Sequence, residues 1–307
     1  IQRVGFYIPG GSAPLPSTVI HSVSPAIVAG VEEIVIVSPP PISSIILATC
    51  NIMRTLHSKI KVFQIGGVQA VAALAYGTES VPSVNKIVGP GNIFVTLAKR
   101  EVFGIVGIDG IAGPTEAVIF ADESANPDLI ASDLLAQAEH DYLAIPIIIT
   151  TSQNLANKVK TSIEVQLLDL PRSKIAEYAI KNNGGIIVVP NTEKAISVIN
   201  NFAPEHLSIV TKNPNQLLPI IKNSGGIFLG ESSCEVLGDY IAGPSHIMPT
   251  GGAAKFSSPL SVIDFIKITS LISLDRETAK SIAPLAEILA CNEELLAHSA
   301  AARRRGK

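Results

Sequence analysis

Short runs of β-branched and aromatic residues alternate along the chain with longer stretches whose apolar positions recur every three or four residues. The strand-like runs fall at residues 4–8, 34–37, 61–65, 86–88, 117–120, 145–150, 186–189, 207–210 and 226–229. Between most of them lie segments with helical spacing, for example 42–56, 92–103 and 155–168. Such alternation predicts an α/β architecture with mostly parallel sheets. Pro and Gly cluster where the strands end: Pro9-Gly10-Gly11, Pro39-Pro40-Pro41, Gly66-Gly67, Gly89-Pro90-Gly91 and Gly113-Pro114. In an open α/β sheet the carboxyl ends of the strands carry the ligand, so these turns mark the binding edge. Boundaries are expected in the loop at 110–115 and in the Gly/Ala/Ser-rich stretch at 252–259, after which the chain reads as helical to its end. That divides it into 1–114, 115–258 and 259–307. There is no sequence repeat and no low-complexity tract.

Composition narrows the class. A chain of 307 residues is long enough for two buried cores. Hydrophobic residues make up 47% and mean hydropathy is +0.40, yet no apolar run approaches the roughly 18–20 residues of a membrane-spanning helix. Burial within parallel sheets accounts for that composition better than a bilayer does. A net charge of −3 gives no electrostatic case for nucleic acid. The terminal Arg303-Arg304-Arg305 with Lys307 reads as a solvated helix end, where the dipole favours cations. Cys50, Cys234 and Cys291 are odd in number and far apart, which suggests no disulfide framework and a reducing compartment. The cytoplasm is expected, with a plastid stroma as the alternative for a plant source. Since the chain opens on Ile1 rather than Met, we expect that a preceding segment has been removed.

Candidate chemistry comes in two groups. Three glycine-containing loops, at 7–12, 65–70 and 88–94, each follow a strand, and the last two open helices whose first amides suit an anion. Phe94, however, stands where a dinucleotide fingerprint has its third Gly or Ala, and ordinary strand–helix turns account for the loops equally well. The second group is polar. Gln137 and His140, spaced i, i+3, share a helix face, and a Gln–His pair is able to supply two metal ligands; polar residues at a helix end are also commonplace. Glu205-His206 precedes a strand and reads either as an acid/base pair or as a turn with two exposed side chains. Asp239 and His246 flank a Gly-Pro turn, and Glu293 and His298 fall near the C-terminus. Of the six histidines, His140, His206, His246 and His298 lie in these polar segments, whereas His21 and His57 read as ordinary helix residues.

In order and wording the segments YIPGGSAPLPST, GGVQAVAALAYGTESVP, KIVGPGN, AGPTE, SDLLAQAEHD, APEHL, GDYIAGPSHIMPT and ELLAHSAAARR resemble the histidinol dehydrogenases over essentially the whole chain. The resemblance implies two Rossmann-like parallel-sheet domains with helices on both faces and a small helical C-terminal tail. It also implies a zinc- and NAD-dependent, four-electron oxidation of L-histidinol to L-histidine through bound histidinaldehyde, in histidine biosynthesis. By the same resemblance zinc is held by Gln137, His140 and Asp239 of one subunit and His298 of its homodimer partner. Glu205 and His206 match the catalytic pair, and Tyr7, Gln69 and Asn92 match positions beside NAD. Thr115, His246 and the partner's Glu293 match substrate contacts, which also include His206 and the four zinc ligands. Thr115 replaces the Ser of many relatives and keeps the hydroxyl. The family carries roughly a hundred further residues before the first of these segments, a domain's worth of chain. Without them an apolar sheet face or edge is expected to be exposed. The alternatives are an inactive, truncated subunit and a zinc hydrolase; nothing in the chain resembles HExxH, and a hydrolase leaves the glycine loops unexplained. No nucleic acid and no membrane is expected as a partner.

Overall fold

A computed structural model describes residues 1–10 and 14–307. Gly11 and Ser12 of the first glycine loop, and Ala13 after it, lie outside the described residues. Residues Ile1–Ile266 form one compact unit and Lys267–Lys307 a second.

The first unit holds two five-stranded sheets, each parallel throughout. In the first, β1 (Arg3–Tyr7), β2 (Glu33–Ser38), β3 (Ile60–Gln64), β4 (Lys86–Val88) and β5 (Gly107–Ile108) lie in the order β3-β2-β1-β4-β5. Period-two alternation splits its side chains between two cores. Val4, Phe6, Ile34 and Ile36 face α1 (Pro16–Val28) and α2 (Ser44–Leu56), while Val35, Val37 and Ile87 face α3 (Gly67–Tyr76) and α4 (Ile93–Val102). Burial on both faces is why these strands read as continuous apolar runs. The later stretch around Leu260 and Phe265 returns to this core, where the Phe265 ring packs 6.1 Å from Phe6.

The second sheet contains β6 (Glu116–Ala121), β7 (Ile145–Thr150), β8 (Gly185–Val188), β9 (His206–Val210) and β10 (Gly226–Leu229), in the order β10-β9-β6-β7-β8. Ile119, Ala121 and Ile148 pack on α5 (Pro127–Ala138), α6 (Gln153–Gln166) and α7 (Ser173–Asn182); Val118, Phe120, Leu207 and Ile209 pack on α8 (Thr192–Phe202). Ile186 and Val188 on β8 and Ile227 on β10 are exposed, so both edge strands leave apolar side chains in the open. Counted from its own first strand, each sheet runs third, second, first, fourth, fifth. The same topology therefore occurs twice in a chain with no legible sequence repeat, because topology needs the alternation of apolar runs and not their wording.

After β10 come α9 (Glu235–Tyr240), a long irregular stretch and two helices, α10 (Arg276–Asn292) and α11 (Leu296–Arg305). The C-terminal region departs from the expected continuous helix. Residues 266–275 are non-helical, and Glu294, at φ 59°, breaks α10 from α11. β5, two residues long, is a strand too short for pattern reading to reveal. The three cysteines are free, and among the described residues no helix is long and apolar enough to cross a membrane.

Candidate active site

The polar candidates of the second sheet gather at the amino ends of its strands. Thr115 and Glu116 open β6, and Glu205 and His206 open β9, whose first residue pairs with Ala117 on one side and Gly226 on the other. His206 thus sits between two neighbouring strands, 3% exposed, its ring stacked 5.9 Å from Phe228. Glu205 is buried too, so the pair is not an exposed turn.

Hydrogen bonds and ionic contacts run through the site in sequence. Thr115 Oγ1 donates to Glu205 Oε2 at 2.8 Å, and the same oxygen accepts the Glu116 amide at 3.1 Å. Glu205 Oε2 lies 3.5 Å from His206 Nδ1, an electrostatic contact rather than a hydrogen bond, and Nδ1 has no hydrogen-bond partner. His206 Nε2 lies 3.3 Å from Asp239 Oδ1. The Asp239 carbonyl is 3.0 Å from His246 Nδ1, and His246 Nε2 is 3.3 Å from Thr18 Oγ1 on α1. Helix α1 belongs to the first sheet, so this network joins the two halves of the unit.

Charge follows from these contacts. Burial works to lower the His206 pKa, but the Asp239 hydrogen bond and the Glu205 carboxylate outweigh it and hold the pKa well above the ordinary imidazole value. Burial likewise opposes ionisation of Asp239, yet the bond from His206 and the nearby His246 and His140 keep its pKa below the usual range. His246 is shifted down, first by burial and then by His21, whose ring stacks on it at 4.4 Å. His21 is not an ordinary helix residue. With Thr18, three residues earlier on α1, it brackets the His246 ring, and the i, i+3 spacing of the two was the signal available in the sequence.

Gln137, on the last turn of α5, is 2% exposed. Its Oε1 lies 3.2 Å from Thr115 Oγ1, and its Nε2 is buried without a partner. The single Thr115 proton is already directed at Glu205. Carboxamide oxygen and nitrogen are assigned from their partners. With the amide turned over, Nε2 donates to Thr115 and the carbonyl oxygen becomes the buried atom left free. The His140 imidazole beyond the helix end and the Asp239 carboxylate are donors of the types zinc takes, and the turned-over Gln137 oxygen would be a weaker third. Among the described residues no three His, Cys, Asp or Glu side chains already surround a common point. The expected set draws only His140 and Asp239 of those types from one chain. Glu293, at the end of α10, and His298, on α11, are exposed and belong to the second compact unit.

Two tethers went unread in the sequence. Gly251 N donates to Glu116 Oε1 at 3.0 Å and Gly113 N to Thr250 Oγ1 at 2.6 Å, fixing the loop after His246 against the start of β6. Burial raises the Glu116 pKa and leaves its Oε2 unpartnered.

Among the described residues, the turns after β1 and β4 lie at the carboxyl edge of the first sheet, where strand order reverses, and the turn after β3 lies at the same edge. Tyr7 is buried at the end of β1 and its hydroxyl accepts the Gly67 amide at 3.0 Å. Gln69 is exposed on the first turn of α3. Asn92 caps α4, its Oδ1 accepting from Phe94 and Val95 amides at 3.1 Å. Gly89, at φ 118°, passes so close to β1 that a Cβ there would meet the Tyr7 carbonyl oxygen at 2.2 Å. A separate crevice of about 310 Å³, lined by Ser124, Thr211, Gly230 and Ser232 among others, lies at the carboxyl edge of the second sheet and includes none of these residues.

Comparison with known proteins adds an independent finding. Residues 1–306 match the profile of the family described as histidinol dehydrogenase. The histidinol dehydrogenase of Aquifex aeolicus (strain VF5) is 50% identical over 303 residues, covering 99% of this chain and 70% of that protein. One from Bacillus cereus is 51% identical over 304 residues, with 98% and 70% covered. The crystal structure of the Elizabethkingia anophelis histidinol dehydrogenase superposes with a TM-score of 0.93 at 40% identity, over 99% of this chain and 70% of that one.

Proposed function

Since the chain belongs to the histidinol dehydrogenase family and is a dehydrogenase, we propose that it oxidises L-histidinol to L-histidine in two hydride transfers to NAD, with zinc holding the substrate. The observation that carries this reading is the buried run Thr115–Glu205–His206–Asp239, two hydrogen bonds joined by one ionic contact, in which a carboxylate and an imidazole lie side by side.

With Asp239 drawn off to a metal ion, His206 loses the carboxylate that holds its proton, leaving a neutral imidazole to take the alcohol proton as the first hydride leaves carbon. Glu205, held by Thr115 and the Glu116 amide, then guides a water onto the retained aldehyde to give the hydrate. His206 passes its first proton to solvent and accepts another from the hydrate as the second hydride leaves, and the acid so formed ionises in water to the carboxylate of histidine. Zinc, when bound, orients the substrate's imidazole and amino nitrogens, and NAD accepts the hydrides. Gln137, His140 and Asp239 would hold the metal, joined by His298 of the partner subunit, whose Glu293 would meet the substrate together with Thr115 and His246. Tyr7, Gln69 and Asn92 would border NAD. In this division 1–114 is the NAD side, 115–258 the zinc and catalytic side and 259–307 the segment exchanged between homodimer subunits. A reducing cytoplasm suits the three free cysteines.

Limiting L-histidinol with excess NAD and zinc is expected to give two NADH per histidinol, and His206→Asn to lower turnover by about 10²–10⁴-fold. One NADH per histidinol would end the reaction at the aldehyde and refute the four-electron assignment. Unchanged turnover in His206→Asn would remove that residue from the chemistry.

A further inference from the structure

We propose that Lys99 and Asp109 are positioning residues for the cofactor: a buried ion pair that grips both ends of the Gly89 residue and so fixes the loop against which NAD binds. The inference rests on the NAD reading of the preceding subsection. Neither residue belongs to the network described above.

The pair is almost wholly enclosed, with side chains 3% and 9% exposed. Asp109 follows directly on β5, and Lys99 lies two turns into α4 on the same face as Asn92 and Thr96. Lys99 Nζ is hydrogen-bonded to Asp109 Oδ1 and also donates to the Gly89 carbonyl at 2.9 Å. Asp109 Oδ2 accepts the Gly89 amide at 2.7 Å, and Oδ1 accepts the Gly110 amide at 2.8 Å. Thr96 Oγ1 donates to the Ala112 carbonyl at 3.2 Å, so α4 also holds the segment that follows.

The reason for such a clamp lies at Gly89. Only glycine fits there, and glycine is the residue with the most backbone freedom to lose. A loop left to that freedom would meet a ligand only after ordering itself, which weakens binding. The ion pair removes the freedom beforehand from both the amide and the carbonyl side. Its charges cancel, and Lys99 points inward to a backbone carbonyl, so it is not a phosphate-binding lysine. A pair whose task was only to neutralise itself has no need to hold both polar groups of one loop residue.

Two double variants separate these roles. Lys99→Met with Asp109→Leu removes the charges together, which avoids a lone buried charge, and also removes the grip on Gly89. Lys99→Met with Asp109→Asn removes the charges but keeps a carbonyl oxygen for the Gly89 amide. NADH binding is read from the cofactor's own fluorescence, which the chain's lack of tryptophan leaves free of indole emission. Melting temperature and calorimetric histidinol binding, with zinc supplied, are read beside it. The first variant should bind NADH at least about tenfold more weakly than the parent and the second within about threefold, both folding cooperatively, the first melting lower, and both binding histidinol as the parent does. Equal weakening in the two variants, or parent-like NADH binding in the first, would overturn the assignment. Should the first variant fail to fold, hydrogen exchange in the parent decides: the Gly89 and Gly110 amides bonded to Asp109 must already be protected before NADH is added, and rapid exchange there rejects the clamp. A parent that binds no NADH at all overturns the cofactor reading and this inference with it, an outcome visible before any variant is made.

Discussion

Behind the layer of Gln137, His206 and Asp239 lies a second polar layer, and it is built by periodicity. His206 and Ser208 are two apart on β9, Asp239 and Glu235 four apart on α9, and Gln137 and Asp133 four apart on α5. Each element therefore presents one polar side chain to the site and one beneath it. Ser208 Oγ donates to Glu235 Oε1 at 3.0 Å, while Glu235 Oε2 is buried without a partner. Burial pushes the Glu235 carboxyl from 4.5 up to about 7 and that of Asp133 from 3.8 up to about 6, each by withdrawing the charged form from water. Between those limits the folded chain keeps a proton that the unfolded chain releases. The associated stability is present in full below about pH 4.5 and is lost as pH rises to about 7. For Glu235 the swing is on the order of 3 kcal/mol. Urea unfolding at pH 5 and pH 8, with a chelator present, should show a smaller loss of stability with rising pH in Glu235→Gln than in the parent. Parallel losses would show that Glu235 is ionised throughout. The roles in this inner layer were not legible in the sequence: Ser208 and Glu235 belong to none of the matching segments, Asp133 lies in one without standing out there, and only their stacking beneath the motif residues gives them meaning.

At the scale of elements, the approach to β9 decides which side chains reach the site. Helix α8 is capped at its start by Asn191 and ends at Phe202; Ala203 follows in the left-handed region at φ 57°, its amide donating to Ile199 at 2.8 Å. Pro204 then forbids further helix. A strand delivered one residue out of phase would exchange His206 for Leu207, which now packs in the core beside α8. Ala203→Val, a β-branched residue forced into that conformation at a buried position, is expected to cost about 1–3 kcal/mol and to lower kcat. Melting and turnover, set against Ala203→Gly, would check it; Val and Gly variants of equal activity and stability would show that this cap does not set the register. Strand positions themselves were readable to within one or two residues, since apolar runs bounded by Gly and Pro report burial directly. The break at Glu294 was not, because a single left-handed residue between two helical patterns leaves no change of period.

Over the whole molecule, one topology is used at its two opposite edges. The first sheet offers its carboxyl edge, with Tyr7, Gly67 and Gly89, and the second its amino edge, with Thr115, Glu116, Glu205 and His206. Bonds such as that between Thr18 and His246 tie the halves together within one compact unit. The proposed completion of the site by a second subunit can be tested at the same scale. If His298 acts in trans, mixing His206→Asn chains with His298→Ala chains under conditions that exchange subunits should restore activity. Half of the sites in each hybrid dimer would be intact, so about a quarter of parental activity is expected after random pairing. No recovery, with hybrids demonstrated by mass spectrometry, would place His298 in the site of its own chain.

What the sequence determined by itself is what depends on local order. The alternation of apolar runs fixed an α/β fold, the Gly/Pro turns fixed where strands end, and the matching motifs fixed the family. The tertiary structure alone decided which polar groups meet: that Glu205 and His206 are buried rather than a surface turn, that His21 stacks on His246, and that Lys99 and Asp109 close on Gly89. Residues far apart in the chain are brought together by strand order and register, and a linear pattern of apolar and polar positions specifies the faces of each element without specifying its neighbour.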